Sequence, residues 1–487
     1  MAAVFEPGKD LLDFTTRYFG ERAAAYLACA GRPTRSQIRV NTQRIEVEAL
    51  RARLARQGIH TRPSVLDPAL LAYAPADANV GGLLEHAMGL YYLQDLSSYL
   101  PVRVLDPQPG ERVLDLCAAP GSKTTQLAQA MQGRGLVLAN DVSAARVRAL
   151  AFNLDRLGTI NVSQSQVDGA RLGNLLPGYF DRVLLDAPCS ALGIIGRQPE
   201  VLGWWSRERM ERLVKVQERL FHAAVKALRP GGRLVYSTCT LTAEENELRV
   251  DWALRQLPLT LEALPPLPGV NVEAGWTQVD GQALDPRLAR SIRLNPQDND
   301  GQGFFIAAFT KTGDAARVRP ARSHAGPARA GAPDLLTPEH PEIQPILRRM
   351  ESEYGLPAEL LDQFAYLRDK DLWVISRETE LSVAQLAQRS GIRMARLNQE
   401  GKLTKVTSDF LQFIAPWISR RRVDLAEHEQ GALQALLAGG SVPYAGPEGG
   451  QVAIFHDGLC LGAGLVQDGL LKSQIPGSRR AVVRNLA

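Results

Sequence analysis

The chain lacks any Cys-x-x-Cys pair, and its five cysteines, Cys29, Cys117, Cys189, Cys239 and Cys460, are odd in number. Neither a disulfide framework nor a zinc site fits that count and spacing. A reducing, cytoplasmic setting is therefore expected. No apolar run approaches the roughly 20 residues that a membrane-spanning helix needs. The first residues, MAAVFEPGKD, lack the basic-then-apolar order of a secretory leader. No membrane partner is expected. Charge of one sign is also scarce: 56 Lys and Arg face 52 Asp and Glu, a net charge of +4. So mild an excess permits a nucleic-acid partner only where it is concentrated locally.

What the chain does have is length and alternation. At 487 residues it exceeds one ordinary core, and two or three domains are expected. Residues 1–100 mix helix and strand. Glu46 to Gln57 reads as a helix with Val47, Leu50 and Leu54 on one face and Gly58 as its stop. SQIRVNT (36–42) alternates like a strand. From 101 to 311, strand-like and helix-like runs take turns: RVLDLCA, TTQLAQAM, LVLANDV, ARVRALAFNLDRLG, VSQSQVD, DRVLLDAPC, a helix near 206–228, and RLVYSTCT. That order predicts a parallel sheet with helices on both faces and right-handed crossovers. RSIRLNP and GFFIAAFTK would add a terminal pair of strands. Residues 312–335 are rich in Pro, Gly, Ala and Arg and read as a flexible basic linker. Residues 336–487 begin helical and end in short Gly-punctuated strands, as in a small β-rich module. A monomer is expected.

VLDLCAAPGSKT (113–124) reads as strand, tight turn and helix start, with Gly121 free to bring the backbone close to a ligand. The spacing is neither the GxGxxG of a dinucleotide site nor the GxxxxGK[ST] of a phosphate loop. Asp141 ends the next strand, where a carboxylate can accept both ribose hydroxyls of a nucleoside-bearing cofactor. Asp168 ends the strand after that and could accept from an adenine amino group, although an Asp before a Gly is equally a turn residue. A small-residue turn and two strand-end Asp residues suit S-adenosylmethionine.

Cys189 and Cys239 stand at two further strand ends. If those strands are neighbours, their tips are about 5 Å apart, and both thiols can face one substrate. Most lone cysteines are simply buried small hydrophobes, the reading for Cys29, Cys117 and Cys460. A thiol beside a methyl donor suits one reaction in particular. Carbon 5 of a pyrimidine is a poor nucleophile until a thiolate adds to carbon 6; this is covalent catalysis. One thiol would attack and the other assist elimination. Asp186 could hold the cytosine edge at N3 and N4, and Lys123 could supply the positive charge that favours a thiolate. The residues alone leave open which thiol attacks.

DLCAAPGSKT, DAPCS, and YSTCT followed by AEENE together resemble the Nol/Nop/Sun family of RNA cytosine-5 methyltransferases. QIRVNT, YYLQDLSSYLPV and GFFIAAFTK extend the likeness over about residues 1–311. The resemblance implies an α/β fold: a Rossmann-like core dependent on S-adenosylmethionine, with an α+β N-terminal domain that binds RNA. It implies Cys239 as nucleophile and Cys189 as release thiol. It carries the cofactor contacts onto Cys117, Ala118, Ala119, Pro120, Gly121, Ser122 and Lys123, then Asp141, Arg146, Asp168 and Asp186. LNPQ (294–297) departs from the family by placing Gln297 where His is common. The C-terminal region resembles the extension of the ribosomal RNA small subunit methyltransferase F group, ending like a PUA-type RNA-binding module. CSALGIIGRQPEV (189–201) is closer to the B group and nucleolar members. RNA contacts are expected at Arg197, Trp204, Trp205 and the cluster Arg420, Arg421 and Arg422, where core packing or a solvated turn is the competing reading. The substrate implied is 16S ribosomal RNA, with transfer RNA as the rival. Two other classes compete: an amino-methylating enzyme, whose [DN]PP[YF] motif is absent, and a non-catalytic RNA-binding assembly factor.

Overall fold

Five short runs of buried residues build the centre of the molecule. They are β1 (Arg112–Asp115), β2 (Leu136–Asn140), β3 (Val162–Ser165), β4 (Phe180–Asp186) and β5 (Leu228–Thr238). All run parallel, in the order β3-β2-β1-β4-β5. Every residue of β2 is buried, as a strand covered by helices on both faces must be. The helices α1 (Ser122–Ala130), α2 (Ala144–Leu157) and α3 (Arg207–Ala227) supply that cover. On α3 the buried residues Met210, Gln217, Leu220, Phe221 and Ala224 recur at helical spacing. Beyond β5 lie β6 (Ile292–Leu294) and β7 (Phe304–Lys311), with β7 antiparallel to β5 and β6 antiparallel to β7. The terminal strand pair expected from the sequence is this one. The order of strands reverses between β1 and β4, so the ligand crevice lies outside the carboxyl ends there.

The computed structural model describes residues 7–32, 36–299, 301–313, 334–426, 428–447 and 449–483. In the N-terminal region a four-stranded antiparallel sheet joins His60–Pro63, Leu70–Ala74, Gln37–Val40 and Tyr91–Gln94. Helix Val47–Arg56 buries Leu50 and Leu54 on it. Gly58 follows with φ +76°, the left-handed conformation that ends the helix cheaply. Helix Leu96–Leu105 crosses position 100, where the domain boundary was expected. Its Leu100, Val102, Val104 and Leu105 pack with Val113, Leu127 and Val137, so it belongs to the parallel-sheet core.

Most of the linker expected at 312–335 lies outside the described residues, and Asp334 and Leu335 already belong to strand Asp334–Leu336. The region after it holds two five-stranded sheets. Arg389 and Ser390 pair antiparallel with β3, so this region continues the central sheet at its free edge. Among the described residues no helix is long and apolar enough to cross a membrane.

Candidate active site

The carboxyl ends of β1, β2, β4 and β5 converge on one crevice. After β1, the turn at 116–121 is fastened to the end of β2: Ala118 N donates to Asn140 O at 2.7 Å. Gly121 has φ +106°, and a Cβ there would meet Leu150 Cδ1 at 2.8 Å. A side chain there would strain the left-handed turn and force the Leu150 side chain on α2 to shift. Arg39, 2% exposed, reaches in from the N-terminal sheet and donates to Ser122 O at 2.8 Å and Thr125 Oγ1 at 2.7 Å. It clamps the start of α1, a role no motif signalled.

Asp141 is buried at the end of β2. Its Oδ1 accepts from Ser143 N at 3.0 Å, and its Oδ2 from Ala119 N at 3.3 Å. Arg146 Nη1 lies 3.2 Å from Asp141 Oδ2, while its Nη2 donates to Ala119 O. Asn140 pins the floor by donating to Leu116 O and Val167 O and accepting from Val167 N at 3.0 Å. Asp168 lies beyond the end of β3, accepts from Ala170 N, and pairs with Arg219 at 2.9 Å. Both carboxylate oxygens are thus engaged, Oδ1 by the Asp-before-Gly turn and Oδ2 by Arg219. Burial pushes Asp115 up to about 7. Its Oδ2 accepts from Thr124 Oγ1 at 2.7 Å, and its Oδ1 has no partner. Burial also drives the Cys117 thiol well up, so it packs as a neutral thiol. A close backbone turn, a buried strand-end carboxylate and no cradle for a triphosphate fit an adenosyl cofactor with a cationic methionine portion.

At the other half of the crevice β4 and β5 lie side by side, with Asp186 opposite Ser237. The two thiols follow these residues, and Cys189 Sγ and Cys239 Sγ are 3.3 Å apart. Lys123 Nζ donates to Asp186 Oδ2 at 2.8 Å and to Ser98 Oγ at 3.1 Å, above the Phe304 ring. Ser237 Oγ donates to Asp186 Oδ1 at 2.8 Å. The Asp186 carboxylate is thereby fixed from both sides. The Cys189 thiol is driven well above its ordinary value by its hydrogen bond with Cys239, then by burial and the negative charge of Glu245.

The AEENE segment holds this pair of loops, which its charge-rich sequence conceals. Glu245, Asn246 and Glu247 are all fully buried. Glu245 accepts from Ser190 N at 2.9 Å, Thr242 Oγ1 at 2.8 Å, Gln217 Nε2 at 3.0 Å and Ser190 Oγ. Asn246 donates to Thr240 O at 3.1 Å. Glu247 pairs with fully buried Arg293 at 2.6 Å. The loop after Cys189 closes on its neighbour through Gly193 N, which donates to Cys239 O at 2.9 Å.

Residues 102–310 match the family described as 16S rRNA methyltransferase RsmB/F. The ribosomal RNA small subunit methyltransferase F of Klebsiella pneumoniae is 33% identical over 469 residues, 94% of this chain and 92% of the relative. The chain belongs to this family. The Cronobacter sakazakii relative of the same name is 36% identical over 382 residues, 77% of this chain and 76% of its own. A methyltransferase homolog from Pyrococcus horikoshii has TM-score 0.56 at 34% identity, covering 62% of this chain and 95% of that one. NSun6 from Pyrococcus horikoshii, solved with SFG, has TM-score 0.55 at 27% identity, with 63% and 99% covered. SFG is an analogue of S-adenosylmethionine, the cofactor on which this methyltransferase depends.

The outlying candidates fare differently in the methyltransferase. Trp205 is buried against Phe14, ring centroids 5.4 Å apart, whereas Trp204 is 37% exposed under Arg209. Arg197 is exposed at the end of the Cys189 loop. Arg422 pairs with Asp424 at 2.7 Å and lies over Phe455, and Arg421 is 3.6 Å from Glu353. That cluster is largely neutralised by its neighbours.

Proposed function

We propose that this methyltransferase moves a methyl group from S-adenosylmethionine to carbon 5 of a cytosine in small-subunit ribosomal RNA, through a covalent link between Cys239 and carbon 6. The observation that carries the reading is the sulfur pair, 3.3 Å apart on adjacent strand tips beside the cofactor turn. The family resemblance assigns the attack to Cys239 and the release to Cys189, and this spacing sets both sulfurs within reach of one base.

Asp186, held by Lys123 and Ser237, grips the N3 and N4 edge of the flipped base. As the Cys239–carbon 6 bond forms, electron density moves to carbon 5. The cofactor supplies an electrophilic methyl on a sulfonium. Once carbon 5 carries the methyl, a base takes the carbon 5 proton, its electron pair forms the carbon 5–carbon 6 double bond, and the carbon 6–sulfur bond breaks to restore the Cys239 thiolate, an elimination that Cys189 assists. The turn from Cys117 to Lys123, with Asp141, Arg146 and Asp168, holds the cofactor; Asp141 takes the ribose and Asp168 the adenine amino group.

The region after residue 336 is read as an RNA-binding extension. The sheet of Arg422–Leu425, Gly450–His456, Leu459–Gln467, Leu470–Ser473 and Ser441–Pro443 supports a PUA-like module. Residues up to about 100 form the N-terminal RNA-binding domain, and a basic linker precedes the extension. The protein works in the cytoplasm as a monomer.

A denaturing gel of protein, S-adenosylmethionine and radiolabelled small-subunit RNA tests the mechanism. Cys189→Ala is expected to trap a slow-migrating protein–RNA adduct. Cys239→Ala is expected to form none and to lose about 10,000-fold or more in rate. An adduct in Cys239→Ala alone would reverse the two roles. Mapping 5-methylcytosine in cells lacking the protein tests the substrate, and loss confined to transfer RNA would overturn the choice of ribosomal RNA.

A further inference from the structure

A cavity of about 300 Å³ opens where the N-terminal sheet meets the reaction loops. Gln37, Arg62 and Tyr73 line it from the sheet, Ser97 from the start of helix Leu96–Leu105, and Asn299 and Gln302 from the loop before β7. Two of these walls lead directly into the site. Ser98, next to Ser97, holds Lys123 Nζ at 3.1 Å. Gly303, next to Gln302, donates to Gly193 O at 2.8 Å, and Gly193 N donates to Cys239 O at 2.9 Å. The cavity therefore adjoins the groups that fix both Asp186 and Cys239.

Buried acceptors gather around it without partners. Gln37 Oε1 has none, and neither has Asp95 Oδ2. Asp95 is 5% exposed, and all its donors fall on Oδ1: Ser97 N at 2.9 Å, Ser97 Oγ at 2.6 Å and Gln302 N at 3.4 Å. Gln297, on the cavity's loop, has both amide atoms buried and unbonded. The loop itself is pinned: Asn299 accepts from Asn271 N at 3.1 Å and donates to Asn271 O at 3.0 Å. An unmet buried acceptor costs about 1–3 kcal/mol, and a ligand carrying N–H donors would relieve it.

We propose that this cavity receives the base of the nucleotide adjoining the target cytosine and favours a base that bears an exocyclic amino group. The inference rests on the reading of the protein as an RNA methyltransferase. Drawing one base out of its stack to the thiols unstacks its neighbour as well, and the cavity adjoins the loops that carry the site. Tyr73 offers a ring and Arg62 a guanidinium, the groups on which splayed bases and their phosphates settle. Gln37 Oε1, on the cavity wall, matches the amino group that adenine, cytosine and guanine carry and uracil lacks.

The test is single-turnover methylation of short RNAs with one target cytosine, by the full chain. The 5′ and 3′ neighbours are in turn cytidine, uridine and an abasic site. At one flank the wild type is expected to lose about 5–150-fold when cytidine becomes uridine, the range set by one unmet acceptor, and at least as much at an abasic site. Gln37→Leu should equalise cytidine and uridine at that flank, and Tyr73→Leu should remove most of the abasic penalty. Unchanged cofactor affinity in both variants would show that they fold. Equal rates for all RNAs in the wild type, or a preference that survives Gln37→Leu, would overturn the subsite while leaving the methyltransferase reading intact. Failure to methylate any RNA, assembled particles included, would strike that parent reading instead.

Discussion

At the scale of single residues, Asp115 makes a pH prediction. Its carboxyl stands at about 7 in the folded chain against 3.8 for the free side chain, because burial opposes its charge. The folded state therefore binds the extra proton between those two values. Stability falls as pH rises through that window and levels off above about 7. Asp115→Asn should flatten this part of the cofactor-free stability curve, measured as melting temperature against pH. A slope as steep as in the wild type would remove Asp115 as its source. The candidate site residues were legible because the proposed chemistry limits the choice. A strand-end Asp, two strand-end thiols and a Gly turn were named from residues 113–124, 141, 186, 189 and 239, and the structure gathers them at one crevice. Arg39, Ser98, Asn140 and Ser237 were not, since a polar residue that braces another leaves no spacing rule behind it.

At the scale of elements, the segment from Ala243 to Glu247 shows why part of the site stayed hidden. Three polar residues in a row normally mark a solvated face, yet here they are buried to hold the two thiol loops. Glu245 satisfies the main chain of Ser190 beside Cys189, while Asn246 binds the carbonyl of Thr240 beside Cys239. Glu245→Ala leaves Ser190 N without its acceptor and takes from Gln217 Nε2 one of its two acceptors, the other being Pro188 O. It should cost about 2–4 kcal/mol by urea unfolding, and both thiol loops should loosen together. If Glu245→Ala keeps wild-type stability, the buried hydrogen bonds are not what fixes the loops. The parallel strands themselves were easy to read, because strands covered on both faces must be apolar runs. The boundary at residue 100 was not, because helix Leu96–Leu105 belongs by its packing to the core and by its sequence to either side.

At the scale of the molecule, the C-terminal region is fastened to the rest by a few long-range contacts that no local pattern announces. Ser390 pairs with Ser163 across the edge of β3, their hydroxyls 2.8 Å apart. Arg389 reaches Asp155 on α2. Arg479, 1% exposed, pairs with Asp409 at 2.7 Å and donates to Ala87 O at 3.0 Å, tying the last helix to the N-terminal region. Such ties should make the N-terminal, central and C-terminal regions unfold as one cooperative unit, seen as a single transition in scanning calorimetry. Arg479→Met keeps much of the side chain's bulk but strands Asp409, whose charge burial already opposes. Removing one partner of a buried pair costs about 3–5 kcal/mol. The variant should therefore melt in two steps, with the C-terminal region first and the cofactor-binding core at nearly its original temperature. Two transitions in the wild type would instead mean that the regions are stable apart, and that the shared sheet edge aligns them without coupling their folding.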